Sequence, residues 1–195
     1  MEPRENVDPD QSWPRDVKAP DRSNFHQDTY SQSQFDVIKV LSCLARRPNP
    51  RIDLGPIDCS AAMIVCDMYL EDNPIVYCSE AFCDLTGYNY SDVLGRNCRF
   101  LQVPGTSDDT TSRGRTPGLD KISMPGAPSQ TVDLQHELHR LKHSLSHKEE
   151  VQAMLLNYHK SGRAFLNLVT VVPVETPGDD HQYLVGFQAA SRQVE

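Results

Sequence analysis

The segment 149–190, EEVQAMLLNYHKSGRAFLNLVTVVPVETPGDDHQYLVGFQAA, constrains the fold more than any other part of the chain. Three runs rich in β-branched, leucine and aromatic side chains are separated by HKSG and TPGDD, whose Gly, Pro, Ser and Asp residues supply turn chemistry. Connections this short join antiparallel neighbours, because a parallel crossover needs a dozen or more residues. Upstream, AAMIVCDM and PIVYCSEAF are two further β-branched runs joined by the turn-forming EDNP, a hairpin-like pair. SEAFCDLTGYNYSDVLG then holds two brief helices broken at Gly87, with Ser91 as the expected cap of the second. The sum is an α+β fold: a five-stranded antiparallel sheet with its helices on one face.

The rest of the 195 residues are appendages to that sheet. Residues 1–35 are rich in Asp, Gln, Ser, Pro and Arg without an apolar period, and are expected to form a flexible arm. FDVIKVLSCLARRPNP places Val37, Ile38, Val40, Leu41 and Leu44 at helical spacing, with Asp36 as cap and Pro48 as stop. RIDLGPIDCS follows as an extended connector, because a residue before proline is pushed out of helical geometry. Residues 36–57 thus form an N-terminal cap and 58–192 the main domain, which carries a Gly/Pro/Ser/Thr-rich insertion at 103–130. A loop of that length is either functional or disordered. After it, Leu134, Leu138, Leu141 and Leu145 make one helical stripe. His136, His139, His143 and His147 lie on the opposite side, more simply a solvated face than a metal site, since no carboxylate or cysteine completes a ligand set.

Composition removes several function classes. The formal charge of −8, from 19 basic against 27 acidic residues, has the wrong sign for gripping a nucleic-acid backbone. No apolar run approaches the roughly 18 residues that span a bilayer, and the polar N-terminus lacks the core of a signal peptide. A soluble protein, cytoplasmic and/or nuclear, is expected. Six cysteines, at 43, 59, 66, 78, 83 and 98, show no C-x-x-C pair, so neither a zinc ribbon nor a disulfide framework is indicated.

One of them stands apart. GRNCRFLQ, residues 95–102, sets Cys98 between an amide and a guanidinium at the start of a short helix. Such a thiol could be held ready to react, or sit beside a phosphate-bearing ligand. An ordinary structural cysteine fits the same spacing. A phosphatase-type loop does not, because its arginine position falls on Pro104.

DNPIVYCSEAFCDLTGYNYSDVLGRNCRFLQ, LLNYHKSGRAFLNL and YLVGFQ together resemble the LOV domain, the flavin-binding, blue-light-sensing branch of the PAS fold. RPNPRIDLGPID is similar to the N-terminal cap of small fungal photoreceptors of the Vivid and Envoy type. The resemblance covers residues 36–192. It implies that Cys98 is the thiol that bonds to the C4a carbon of a photoexcited flavin, reversibly and without substrate turnover, so no enzyme is expected. It carries flavin contacts over to Ile64, Cys66, Asn73, Ile75, Asn97, Arg99, Leu101, Gln102, Leu138, Leu145, Leu155, Asn157, Asn167, Val169, Val171, Gly186 and Gln188. Within each strand these positions keep one parity, as one face of a sheet requires. Ordinary core residues would explain the apolar members. They would not explain Asn157, Asn167 and Gln188 on an inward face, where each amide needs a partner.

The same resemblance assigns a phosphate to Arg99, with Lys142 at the place of a second arginine, where charge is kept and the bidentate fork lost. Arg113 and Arg115, in the insertion, are placed to cover an adenine-dinucleotide tail, so FAD is expected at least as readily as FMN. Gln188 is expected to turn its amide when flavin N5 gains a proton, and to bias the cap through Asp58, Cys59 and Ala61. Ala61 stands where such relatives can carry a hinge cysteine. The expected output is light-dependent dimerisation, with a second copy or with a white-collar-type transcription regulator, modulating light-responsive gene expression. A thiol or redox-sensing PAS protein, a flavoenzyme and a cofactor-free PAS interaction module are the alternatives.

Overall fold

The computed structural model describes residues 35–57, 60–104, 121–124, 127–178 and 181–193. Strands β1 (Ala62–Asp67), β2 (Ile75–Cys78), β5 (Val151–Tyr158), β6 (Ala164–Glu175) and β7 (Gln182–Gln193) form one sheet in the order β2-β1-β7-β6-β5. All its pairings are antiparallel. The expected meander is β5-β6-β7, and β7 then pairs with β1, so the first hairpin and the last three strands close into a single layer. Strands β3 (Lys121–Met124) and β4 (Ala127–Asp133) pair separately as a two-stranded ladder. The Gly- and Pro-rich composition of 103–130 concealed that ladder.

Alternation divides the sheet into two apolar layers. Ile64, Cys66, Leu155, Val169, Val171 and Leu184 point to the face covered by α2 (Glu80–Thr86), α3 (Tyr90–Val93) and a 3-10 helix (Cys98–Gln102). Met63, Val65, Val172, Val174 and Val185 point to the other face, where α1 (Val37–Ala45) seats Val37, Val40 and Leu44. Asp36 caps α1 by accepting from the Lys39 amide at 2.9 Å. Ile38, counted in the apolar period, is turned to solvent. The second short helix is capped by Asn89 rather than Ser91: the Asp92 carboxylate accepts from the Asn89 amide at 3.1 Å, which starts the helix earlier.

Gly87 ends α2 in the left-handed region, φ +73°, and the β5–β6 turn is packed on that corner. There the Lys160 amide donates to the Thr86 carbonyl at 2.9 Å and its ammonium to Asp92 at 2.5 Å. The connector after α1 is tied down by Glu150. Its carboxylate accepts from Arg47 Nε at 2.7 Å and from the amides of Arg51 and Ile52 at 3.0 and 2.8 Å. Beneath the connector lies a cavity of about 270 Å³, bordered by Ile52, Leu54, Ile57, Ala61, Thr170 and Phe187.

Both outer edges of the sheet have hydrogen-bond partners. On β5, helix α4 (Leu134–Ser146) brings Glu137 to accept from the Met154 amide at 3.0 Å and Arg140 to donate to the Gln152 carbonyl. On β2, the Ile75 amide donates to the Arg96 carbonyl at 2.8 Å and the Gly95 amide to the Ile75 carbonyl at 2.9 Å. Among the described residues no helix is long and apolar enough to cross a membrane.

Candidate functional site

Cys98 opens the 3-10 helix because Asn97 caps it: Asn97 Oδ1 accepts from the Arg99 amide at 3.0 Å. The Asn97 amide also donates to the Asp72 carbonyl, which fastens the helix to the β1–β2 turn. That turn is held by Asp72 and Asn73, both at positive φ (67° and 47°), a conformation Asn and Asp tolerate. Leu101 anchors the helix in the core, while Gln102 is half-buried beside it. Arg99 is exposed and pairs with the Asp72 carboxylate.

The Cys98 side chain packs against the helical-face cluster and meets Cys66 of β1. The Cys66 thiol donates to the Cys98 sulfur. With the backbone amide and the Arg99 charge, and against the effect of burial, this bond holds the Cys98 thiol below its ordinary range. Cys66 is pushed well above its own, first by the same hydrogen bond and then by burial. Of the two sulfurs, Cys98 is the one that ionises more readily.

The sheet supplies a polar patch in this otherwise apolar face. Asn167, fully buried, donates to Asn157 Oδ1 at 2.7 Å and to Gln188 Oε1 at 2.9 Å. Its own Oδ1 is buried with no hydrogen-bond partner. Register explains the cluster: Leu155 faces Asn167 across β5 and β6, and Val169 faces Gln188 across β6 and β7. Each contact is thus a diagonal one, two residues along from the direct cross-strand partner on the same face. Gly186 lies between Ile64 and Val171, and a Cβ there would come within 3.3 Å of Ile64, so this strand position stays low on the wall.

The structure thus gathers Ile64, Cys66, Ile75, Cys98, Leu101, Leu155, Val169 and Val171 into one cluster, with Leu138 and Leu145 packed at its margin. The leucine stripe of α4 divides: Leu141 is in this cluster, whereas Leu134 packs with Met154 and Leu166. Lys142 is exposed on α4, and the four histidines of that helix are exposed, His143 and His147 stacked at 4.3 Å. Arg113, Arg115, Asp58 and Cys59 lie outside the described residues, as does the arm 1–34. Ala61 is described, half-buried, and its carbonyl accepts from the Ser79 hydroxyl at 2.8 Å. Sequence patterning did not single out Ser79, Glu150 or the Cys66–Cys98 contact. A serine just before a helix is a capping signal that could have revealed the first; the other two depend on tertiary pairing.

The donor set fits a flavin. An orphaned amide oxygen at Asn167 calls for an N–H donor, such as the pyrimidine edge of the ring offers, and the flanking amides provide the complementary groups. Ile64, Ile75 and the leucines suit the hydrocarbon end.

Residues 61–188 match the family model described as PAS domain. The chain is 35% identical over 175 residues to the blue light receptor lreA of Aspergillus flavus and 37% identical over 159 residues to the White collar 1 protein of Neurospora crassa. Those alignments cover 90% and 82% of this chain. Among solved structures, the photo-excited blue-light photoreceptor Vivid superposes with a TM-score of 0.63 at 35% identity, covering 82% of this chain and 98% of that one. A fungal LOV domain photoreceptor, described with a pathway integrating blue light and oxidative stress, gives 0.63 at 37%, covering 82% and 94%. The chain belongs to the PAS family, in its fungal LOV branch. It spans 19% of the Aspergillus relative and 12% of the Neurospora one, but nearly all of the Vivid-type structures. The fold expected from sequence, an antiparallel five-stranded PAS/LOV sheet with helices, is the fold observed.

Proposed function

We propose that this chain is a blue-light photoreceptor whose chromophore, FAD or FMN, lies on the helical face of the sheet with Cys98 beside its reactive carbon. One observation carries the proposal: a buried Asn157–Asn167–Gln188 amide cluster with one unmatched acceptor, on the same face as a thiol held toward its ionised form. A flavin would supply light absorption and an electrophilic C4a position. The chain supplies the rest. Cys98 provides the sulfur for a reversible bond, and Cys66 packs against it and favours its ionised form. Asn157, Asn167 and Gln188 fix the orientation of the ring, and the apolar wall excludes water.

Gln188 is also the first relay. Its oxygen accepts from Asn167, so its donor end is turned the other way, toward an acceptor such as an unprotonated ring nitrogen. Its neighbour Phe187 lines the cavity under the connector. A turn of the Gln188 amide on one face is thereby felt on the other, where α1 and the connector pack. Similarity to the light-state dimer of Vivid, TM-score 0.65, supports light-dependent pairing with a second copy. Similarity to White collar 1 supports a second protein of this family as an alternative partner.

The test is a visible absorption spectrum of the purified chain before and after blue light. The unmodified chain is expected to lose its blue band reversibly, and Cys98→Ala to keep both flavin and band. Reversible bleaching of the alanine variant, or absence of flavin from the unmodified chain, would overturn the assignment.

A further inference from the structure

Two cysteines outside the Cys98 site are in sulfur contact. Cys78, buried at the end of β2, and Cys83, half-buried in the first turns of α2, have their sulfurs 3.9 Å apart. Between them Ser79 caps α2, accepting from the Phe82 amide at 3.2 Å. The same hydroxyl donates to the Ala61 carbonyl at 2.8 Å and accepts from the Met63 amide at 3.0 Å. The two thiols therefore straddle a single side chain that joins α2 to the start of β1.

We propose that Cys78 and Cys83 form a dithiol–disulfide couple, with a peroxide as oxidant, that is separate from Cys98 and stiffens the junction where the connector enters the sheet. The chemistry balances. The half-exposed Cys83 thiolate attacks one peroxide oxygen, breaking the O–O bond and leaving a sulfenic acid and hydroxide. Cys78 then displaces the sulfenic oxygen, which leaves as water, and the S–S bond forms. In sum, two thiols lose two electrons and two protons while hydrogen peroxide becomes two waters.

Contact distance places the second sulfur where it must be for the closing step, since a bonded pair needs only about 2 Å of further approach. Electrostatics sets the pace. Burial, with the neighbouring Cys83, pushes the Cys78 thiol up to about 12. Burial and the charges of Asp84, Glu80 and Asp92 also raise Cys83, against a lowering hydrogen bond from Cys78; Lys160, the cation facing this corner, is paired with Asp92. Thiolates are scarce there at neutral pH, whereas a disulfide carries no charge and suits a desolvated site. The couple is thus slow to close and stable once closed. Cys43 is on the opposite face of the sheet and Cys66 is engaged with Cys98, so neither competes for the Cys78–Cys83 contact.

The sequence provides a clean assay, because Glu80 lies between the two cysteines. The intact chain is treated in the dark with hydrogen peroxide, its free thiols are alkylated, and it is cleaved after glutamate; only a disulfide then keeps the two fragments together. The expected result is a linked pair that resists alkylation and separates on reduction. It should form up to about tenfold faster per pH unit between roughly 7 and 9 as the thiolate fraction rises. It should persist in Cys98→Ala and vanish in Cys78→Ser and in Cys83→Ser. In the oxidised chain the Met63 and Phe82 amides are expected to exchange more slowly, which a disulfide without mechanical consequence would not produce. Alkylation of both cysteines after peroxide, sulfinic acid at Cys83, a Cys66–Cys98 link in its place, or disulfides only between chains would each overturn the proposal. The unmodified chain alone decides it, whether or not the serine variants fold. None of these results depends on flavin, so the photoreceptor assignment stands or falls separately.

Discussion

Asn167 Oδ1 is buried without a donor, and an unmet polar group of that kind costs about 1–3 kcal/mol. Leucine has nearly the same shape and removes that oxygen, but it also removes the donor to Asn157 Oδ1 and Gln188 Oε1. Asn167→Leu should therefore lower the melting temperature of the flavin-free chain by no more than a few degrees, the lost bonds being partly offset by removal of the unmet oxygen, while weakening flavin retention by about tenfold, the equivalent of one hydrogen bond of roughly 1.4 kcal/mol. Thermal melts and a flavin fluorescence titration check both halves. Loss of stability without loss of flavin would make Asn167 a structural residue only. The inward position of Asn157, Asn167 and Gln188 was legible in the sequence, because strand parity places them. Their grouping around Asn167 was not, since it depends on the register of three strands. The Cys66–Cys98 contact was hidden for the same reason: β1 and the 3-10 helix meet only through the tertiary fold.

At the scale of elements, short helices are fixed by their ends. Gly87 is at φ +73°, and a Cβ there would stand 2.2 Å from the His159 ring. Gly87→Ala should cost at least the 1–2 kcal/mol or so of a left-handed alanine, plus the displacement of His159 and the turn it belongs to. A fall in melting temperature of several degrees is expected; a shift under one degree would contradict this packing. The break at Gly87 was legible from its residue type, and the α4 stripe from its period. That α4 would close the edge of β5 was not, because the deciding groups, Glu137 and Arg140, lie off the apolar stripe. Glu150 acts on the connector in a comparable way. Burial opposes its charge, but Arg47 and the amides of Ile52 and Arg51 hold its carboxyl below the ordinary range. A carboxylate so depressed stabilises the fold above its unfolded pKa of about 4.3, and that contribution is lost as pH falls through the lower folded value. Amide protection at Arg51 and Ile52 should accordingly fall below about pH 4. Glu150→Gln should show the same loosening already at neutral pH. Unchanged protection in both would mean that the connector is held by α1 alone.

For the whole molecule, the proposed relay would run between the two apolar layers on opposite faces of one sheet, from Cys98 to the cap. Gln188→Leu should retain the light-induced spectral change and lose the light-induced change in association, since leucine neither donates nor accepts. A coupling of about 1–3 kcal/mol corresponds to a five- to 150-fold shift in affinity. Size-exclusion chromatography with light scattering, dark and lit over a concentration series, resolves it; a leucine variant that pairs under light as the unmodified chain does would move the relay to Asn157 or Asn167. The manner of pairing is already restricted by the edges of the sheet. Ile75 on β2 is bonded to Gly95 and Arg96, and Gln152 and Met154 on β5 to Arg140 and Glu137. At these positions of the five-stranded sheet a newcomer finds the edge groups already taken. A pairing that avoids those positions would be made broadside, through side chains. Two copies meeting on one self-complementary patch would close on each other instead of propagating as a ribbon, so a stimulus that turned association on could also let it be undone.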